Sequence, residues 1–441
     1  MYNYHAQSAA LAVLFTLLAL SMSNAQTADP SGKKSVITEF GAVGDGKTLN
    51  TVAIQKAIDT LASSGGGTIV LPEGTFLSGA IFLKPGVNLQ VDKNGVLKGS
   101  TDVKDYPTMP TRIEGHVEPW LPALVNADGV DHLRISGEGT LDGSGAPFYK
   151  AFYDSRNANR GATNLGTPRP RMMFVANSKD VQISGLHFLN SGFWNLHLYR
   201  CQNVLVEGLD IFAPVMSPST DGIDVDSCQY ITIKGCRIAN NDDGIALKGS
   251  KGPLAMDDKD SPPVEHIHVI DCTFVRGGSF VTCGSEGTII RDVVVENCQS
   301  VPPESGTSRI TMMRLKLRTD TPQLYEDIHF KNIKLAGEGM IIGIAPWSQF
   351  FDLQGHKQPT RAIRNVTISN VTGSYGSFGN VGTGPGDVVE DITLENIDVH
   401  LTRPNPPNLS VIKKGLVIKN VKINGKEYTG ATTAPSAATQ P

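Results

Sequence analysis

The sequence predicts an all-β protein, a right-handed parallel β-helix forming one solenoid domain with an N-terminal capping helix. Three observations predict it. A nine-residue block, x-Φ-x-Φ-x-[Gly/Asn/Asp]-Φ-x-Φ with Φ apolar, recurs along most of the 441 residues. Its starts at positions 180, 203, 230, 266, 292, 327, 365, 391 and 415 are 23, 27, 36, 26, 35, 38, 26 and 24 residues apart. Spacings in the mid-twenties match one turn of a large solenoid, and the longer ones read as a turn with a loop insertion. The sixth position is always Gly, Asn or Asp, from Gly185 to Asn420. These residues tolerate the left-handed backbone region, so a sharp bend sits at one place in every coil. Alternating apolar residues on either side of the bend read as half-buried strands.

The elements follow in order. Residues 1–25 read as a signal peptide: Ala9 to Leu20 is apolar, and Ser23-Asn24-Ala25 offers a cleavage site before Gln26. The protein is therefore expected to be secreted or periplasmic. Residues 52–64 place Ile54, Ala57, Ile58 and Leu61 at helical spacing and end in Gly65-Gly66-Gly67, which predicts an amphipathic helix plugging the N-terminal end. The β-helix is expected over 26–428, and the Thr/Ala/Pro tail of 429–441 is expected to be disordered.

Composition narrows the partners. With 39 Lys and Arg against 43 Asp and Glu, the chain lacks the basic stripe that nucleic acid requires. The apolar run near the N-terminus is too short to span a bilayer, so no membrane partner is expected. Three of the six cysteines, Cys236, Cys272 and Cys298, fall at one position of the repeat and read as a buried thiol column. No cofactor and no metal are expected, and the protein is expected to act as a monomer.

The second strand of each coil carries the chemistry. In Asp221–Asp226, Asp243–Lys248, Ser279–Cys283 and Thr311–Lys316 the inward pairs are Ile223/Val225, Ile245/Leu247, Val281/Cys283 and Met313/Leu315. The alternate residues, Asp224, Asp226, Lys248, Thr282, Arg314 and Lys316, are expected on the outer face. Asp221 and Asp243 head successive strands about 4.8 Å apart, with Asp242 beside them. Such crowding separates the pKa values of carboxyl groups. One can stay protonated as a general acid while the others hold a water, as glycosidic hydrolysis demands. Arg314 and Lys316 would line the same groove and suit a polysaccharide that bears carboxylates. The alternative reading of clustered Asp residues is a Ca²⁺ site.

These residues resemble glycoside hydrolase family 28, the polygalacturonase-like pectin hydrolases. The resemblance spans roughly Ile37 to Asn420. It includes Phe40-Gly-Ala-Val-Gly-Asp-Gly46 and Phe193-Trp-Asn-Leu-His197, and most specifically Ser219-Thr-Asp-Gly222, Asp242-Asp243 and Arg314-Leu-Lys316. It implies that Asp242 is the general acid, that Asp221 and Asp243 activate water, and that Arg314 and Lys316 bind a uronate carboxylate. It also implies inversion at the anomeric carbon, no metal requirement, and a pectic polysaccharide or oligogalacturonide as substrate. The family's Gly-His-Gly falls at Gly278-Ser279-Phe280, with Ser279 in place of the histidine. That change points to a decorated or rhamnose-containing backbone as an alternative substrate; a side chain near Glu286 could otherwise replace the histidine.

Ser279 and Lys248 are expected to touch substrate. Trp194 and His197 are candidates for a sugar platform or for a packed turn, and so is Trp347. His266, His268 and His329 sit at non-core positions of the block and read as surface residues. Two other functions fit a β-helix: a lyase using Ca²⁺ and a cationic base, and a non-catalytic glycan-binding spike. The three carboxylates favour hydrolysis. The segments Lys104–Pro119 and Tyr149–Thr167 read as loops able to close the groove.

Overall fold

The computed structural model describes residues 32–304, 309–347, 349–404 and 409–430. The segment read as a signal peptide and most of the C-terminal tail lie outside the described residues. The chain winds into a parallel β-helix. Each coil contributes to a long bent sheet built from the repeated blocks, and most coils add one strand to a second sheet. That second sheet runs through ten parallel strands, from Ile81–Phe82 to Ser377–Val381. Successive coils are in register, so Val204, Ile231, Ile267, Val293, Ile328, Val366 and Ile392 stack as one aliphatic column. All seven are buried. Burying such a column along the axis drives the coiling, at about 25 cal/mol per Å² of apolar surface.

The bend at the sixth position is left-handed in every copy, from Gly185 at φ 78° to Asn420 at φ 52°. The asparagines there also bond to one another. Asn332 Nδ2 donates to Asn297 Oδ1 at 3.2 Å, Asn370 to Asn332 at 3.0 Å, Asn396 to Asn370 at 3.2 Å and Asn420 to Asn396 at 2.9 Å. A second left-handed column opens each block: Asp180, Asn203, Tyr230, His266, Asp292, Asp327, Asn365 and Asp391 all have φ between 52° and 59°. Tyr230 and His266 stack within it at 4.4 Å.

The helix Thr51–Ser63 buries Ile54, Ala57, Ile58 and Leu61 against the first coil, as their spacing predicts. Gly66, at φ 90°, lets the chain turn back tightly; a Cβ there would lie 2.5 Å from Gly86 O. The cysteines are free and buried.

Two segments differ from expectation. Ala146–Ala158, largely within a segment read as loop, is a helix with Pro147 in its first turn and Phe148, Tyr149 and Phe152 buried. Met109–Ile113 and His116–Trp120 form an antiparallel hairpin. From it Arg112 reaches Asp226 (2.9 Å) and Ser261 (2.6 Å). The face of the second sheet expected to be open is therefore partly covered, and Asp224, Asp226 and Thr282 are buried.

Candidate active site

The strands Ile223–Asp226, Asp243–Lys248, Ser279–Cys283 and Thr311–Arg318 lie side by side with Ile223, Ile245, Val281 and Met313 in register. Asp221 precedes Ile223 by two residues, as Asp243 precedes Ile245, so both carboxylates stand at the same level. Two buried asparagines fix that level. Asn195 Nδ2 donates to Asp221 O (2.9 Å), and Asn240 Nδ2 donates to Asp243 O (2.6 Å) and Thr220 O (2.9 Å).

Asp221, Asp242 and Asp243 line one cavity of about 370 Å³ together with Lys248, Lys316 and Trp194. That volume is near the lower end of the ~300–1,000 Å³ common for ligand pockets. Phe152, Tyr153 and Arg156 wall it on the side of the earlier coils, and Trp347, Gln349 and Phe350 on the side of the later ones.

The three carboxyl groups differ sharply. Burial opposes the charge on Asp243, but Lys316 Nζ at 2.7 Å and Arg314 Nη1 at 3.3 Å outweigh it. Thr282 Oγ1 and Ser279 Oγ also donate to Asp243 Oδ1, at 2.8 and 3.0 Å. Its carboxyl is held well below the usual range. Asp242 is partly open to the cavity yet closely surrounded, and its own cation contacts are weaker. Burial, then the charges of Asp221 and Asp243, push it up to about 7. Asp221 is raised as well, by burial first, although Lys248 Nζ stands 2.9 Å away. Lys248 also reaches Asp224 (3.2 Å), which burial raises to about 6. Asp221 and Asp243 thus face cations of the protein itself rather than a shared open centre of the kind a Ca²⁺ site needs.

The model of the family described as Glycosyl hydrolases family 28 matches residues 65–429. The chain belongs to that family. It is similar to a probable polygalacturonase of Vitis vinifera, 28% identical over 83% of this chain and 74% of the relative. It is also similar to an exopolygalacturonase of Zea mays, 28% identical over 81% and 80% of the two chains. The crystal structure of a hyperthermoactive exopolygalacturonase from Thermotoga maritima shares the fold, with TM-score 0.72 at 24% identity over 90% and 93% of the two chains. The protein is a glycosyl hydrolase.

In this family 28 hydrolase the remaining sequence candidates take varied places. Lys316 lines the cavity, and Arg314 lies behind Asp243 with part of its side chain exposed. Trp194 lines the cavity as well, but it stacks on Phe193 at 5.0 Å and carries Lys248 Nζ 4.0 Å from its ring centre. It is a seat for the lysine rather than an open sugar platform. His197 needs correction as a substrate contact, because it is fully buried beneath the cavity. Its Nδ1 faces Arg171 at 2.6 Å and its Nε2 faces Asp226 at 3.5 Å, and burial lowers its pKa to about 3. Ser279 likewise touches Asp243 and does not line the cavity. Trp347 lies 4.7 Å from Lys316 Nζ, on the cavity wall. His268 pairs with Glu296 at 2.6 Å, away from the site.

Glu114, Arg156, Asn241, Arg318 and Phe350 line the cavity and were not singled out by the sequence pattern. Arg318 continues the 314–316 alternation on its strand and could have been found that way. Glu114 sits at the hairpin tip and Arg156 on the inserted helix, outside any repeat.

Proposed function

We propose that this protein is an exported, inverting hydrolase of α-galacturonosidic linkages in pectin, acting on short chains or chain ends. The opposite protonation of the adjacent residues Asp242 and Asp243 carries the reading. Asp242, near pH 7 able to hold a proton, donates it to the departing glycosidic oxygen. Asp243, kept anionic by Lys316, orients a water with Asp221 and receives its proton as the water attacks the anomeric carbon from the opposite face. One displacement inverts that carbon.

The polygalacturonase names of the relatives support a galacturonate substrate, and the cationic lining of the cavity, with Arg156, Lys248, Lys316 and Arg318, suits an acidic sugar. The walls at both axial ends of a 370 Å³ cavity favour a short chain or a chain end over an internal stretch. The test is incubation with polygalacturonate, rhamnogalacturonan and xylogalacturonan, with chromatography of the products and NMR of the newly formed anomer. Early release of small uronate products in the inverted configuration is expected. An unsaturated product, or no cleavage of any uronate chain, would overturn the reading.

A further inference from the structure

Several cations line or back the cavity, and most are already engaged. Arg314 and Lys316 are both committed to Asp243. Lys248 is shared between Asp221 and Asp224. Arg318 pairs with Asp320 at 2.8 Å and approaches Glu286 at 3.8 Å. Arg156 differs. It lines the same cavity, and among the described residues it makes no ion pair or hydrogen bond. Its guanidinium carbon lies 5.6 Å from the Phe152 ring centre.

The element that carries Arg156 is well anchored. Phe148, Tyr149 and Phe152 are buried, and Tyr149 Oη donates to Ser191 O at 2.6 Å. Arg169, fully buried, lies 4.4 Å from the Phe152 ring and donates to Pro218 O at 2.6 Å, just ahead of Asp221. A guanidinium on a fixed helix, facing a cavity and lacking an anion, is set to accept one. Its planar fork matches a carboxylate.

We propose that Arg156 is the specificity residue that binds the carboxylate of the uronate lodged against the helix Ala146–Ala158. The assignment rests on the uronate-hydrolase reading above and adds to it where charge is recognised. Arg156 then selects a uronate over a neutral hexose at that position without displacing any internal ion pair.

The test uses full-length Arg156→Ala, Arg156→Gln and Arg156→Lys, with thermal melts confirming that each folds as wild type. Titration calorimetry with galacturonate and with galactose measures recognition directly, and kcat/KM is read on oligogalacturonides. Loss of a charge-assisted carboxylate contact corresponds to roughly a tenfold to hundredfold change. Arg156→Ala and Arg156→Gln should lose that much in galacturonate affinity and in kcat/KM, with galactose binding unchanged and Arg156→Lys in between. A wild type that cleaves oligogalacturonides beside an Arg156→Ala protein that binds galacturonate equally well would overturn the role of Arg156 alone. A wild type that neither binds galacturonate nor cleaves its oligomers would overturn the functional reading with it.

Discussion

Lys316 Nζ stands 2.7 Å from Asp243 Oδ2, while the neighbouring Asp242 is left to bear the cost of burial with little cationic help. A lysine two strands over, with Arg314 beside it, therefore divides two consecutive carboxyl groups into an anion and an acid. The first prediction follows from that division. Asp242→Asn should fold and bind substrate as wild type does, and lose turnover by about 10²–10⁴-fold. Turnover within a factor of two of wild type would remove Asp242 from the acid role.

The pH profile should show both groups. The acid form of Asp242 is needed, so kcat/KM should decline as pH rises through about 7. The anion of Asp243 is needed, so the acid limb should lie below the usual carboxylate range in wild type. Removing a cation raises the pKa of the carboxylate that it served. Lys316→Met should therefore move the acid limb to higher pH and leave the group titrating near 7 in place or slightly raised. An unshifted acid limb would show that Asp243 does not depend on Lys316.

Ser279 donates to Asp243 at 3.0 Å and does not line the cavity. Ser279→Ala should raise the acid limb modestly and reduce kcat/KM several-fold. The ratio of rates on plain and branched pectins should stay constant, since the hydroxyl acts through the carboxylate. A changed ratio would mean that this side chain reaches the sugar.

The solenoid, its capping helix and the strand carrying Asp243 to Lys248 were legible because each rests on a repeated column. Alternation marks which side chains turn inward, and a column of Gly, Asn and Asp marks the bend. The left-handed column that opens each block carried the same Asp and Asn marker at six of its eight positions, but Tyr230 and His266 interrupt it, so the run does not stand out as a column. The segments that shape the cavity also escaped. Arg112 meets Asp226 across 114 residues of sequence, and no local pattern encodes that meeting. The motif Phe193–His197 was recognisable, but its residues serve three tasks: Trp194 seats Lys248, Asn195 holds the backbone of Asp221, and His197 packs against Arg171 and Asp226.

The Arg112–Asp226 pair makes a stability prediction. Both side chains are buried, and removing one partner of a buried pair costs about 3–5 kcal/mol. Arg112→Met should lower the melting temperature accordingly. In wild type Arg112 overcomes the burial of Asp226 and keeps its pKa depressed, so that carboxylate stabilises the fold at neutral pH. The contribution fades only as pH falls through its low folded value. Without Arg112 burial raises the Asp226 pKa, and the variant recovers stability as the group protonates. The gap in melting temperature should narrow between pH 7 and pH 4. A gap independent of pH would assign the loss to packing alone.

The asparagine ladder can be separated into its two parts at Asn370, which combines φ 55° with bonds to Asn332 and Asn396. Asn370→Gly keeps the left-handed conformation accessible and removes only the side-chain bonds. Asn370→Val removes the bonds and also forces a β-branched residue into a region that costs an L-residue roughly 1–2 kcal/mol. Since the position is exposed, the lost bonds to neighbouring amides are partly replaced by water, and the backbone term should dominate. Thermal unfolding should therefore rank wild type above Asn370→Gly, with Asn370→Val clearly lowest. If valine and glycine melt together, the bend is not what selects asparagine in this column, and the ladder of amides must be.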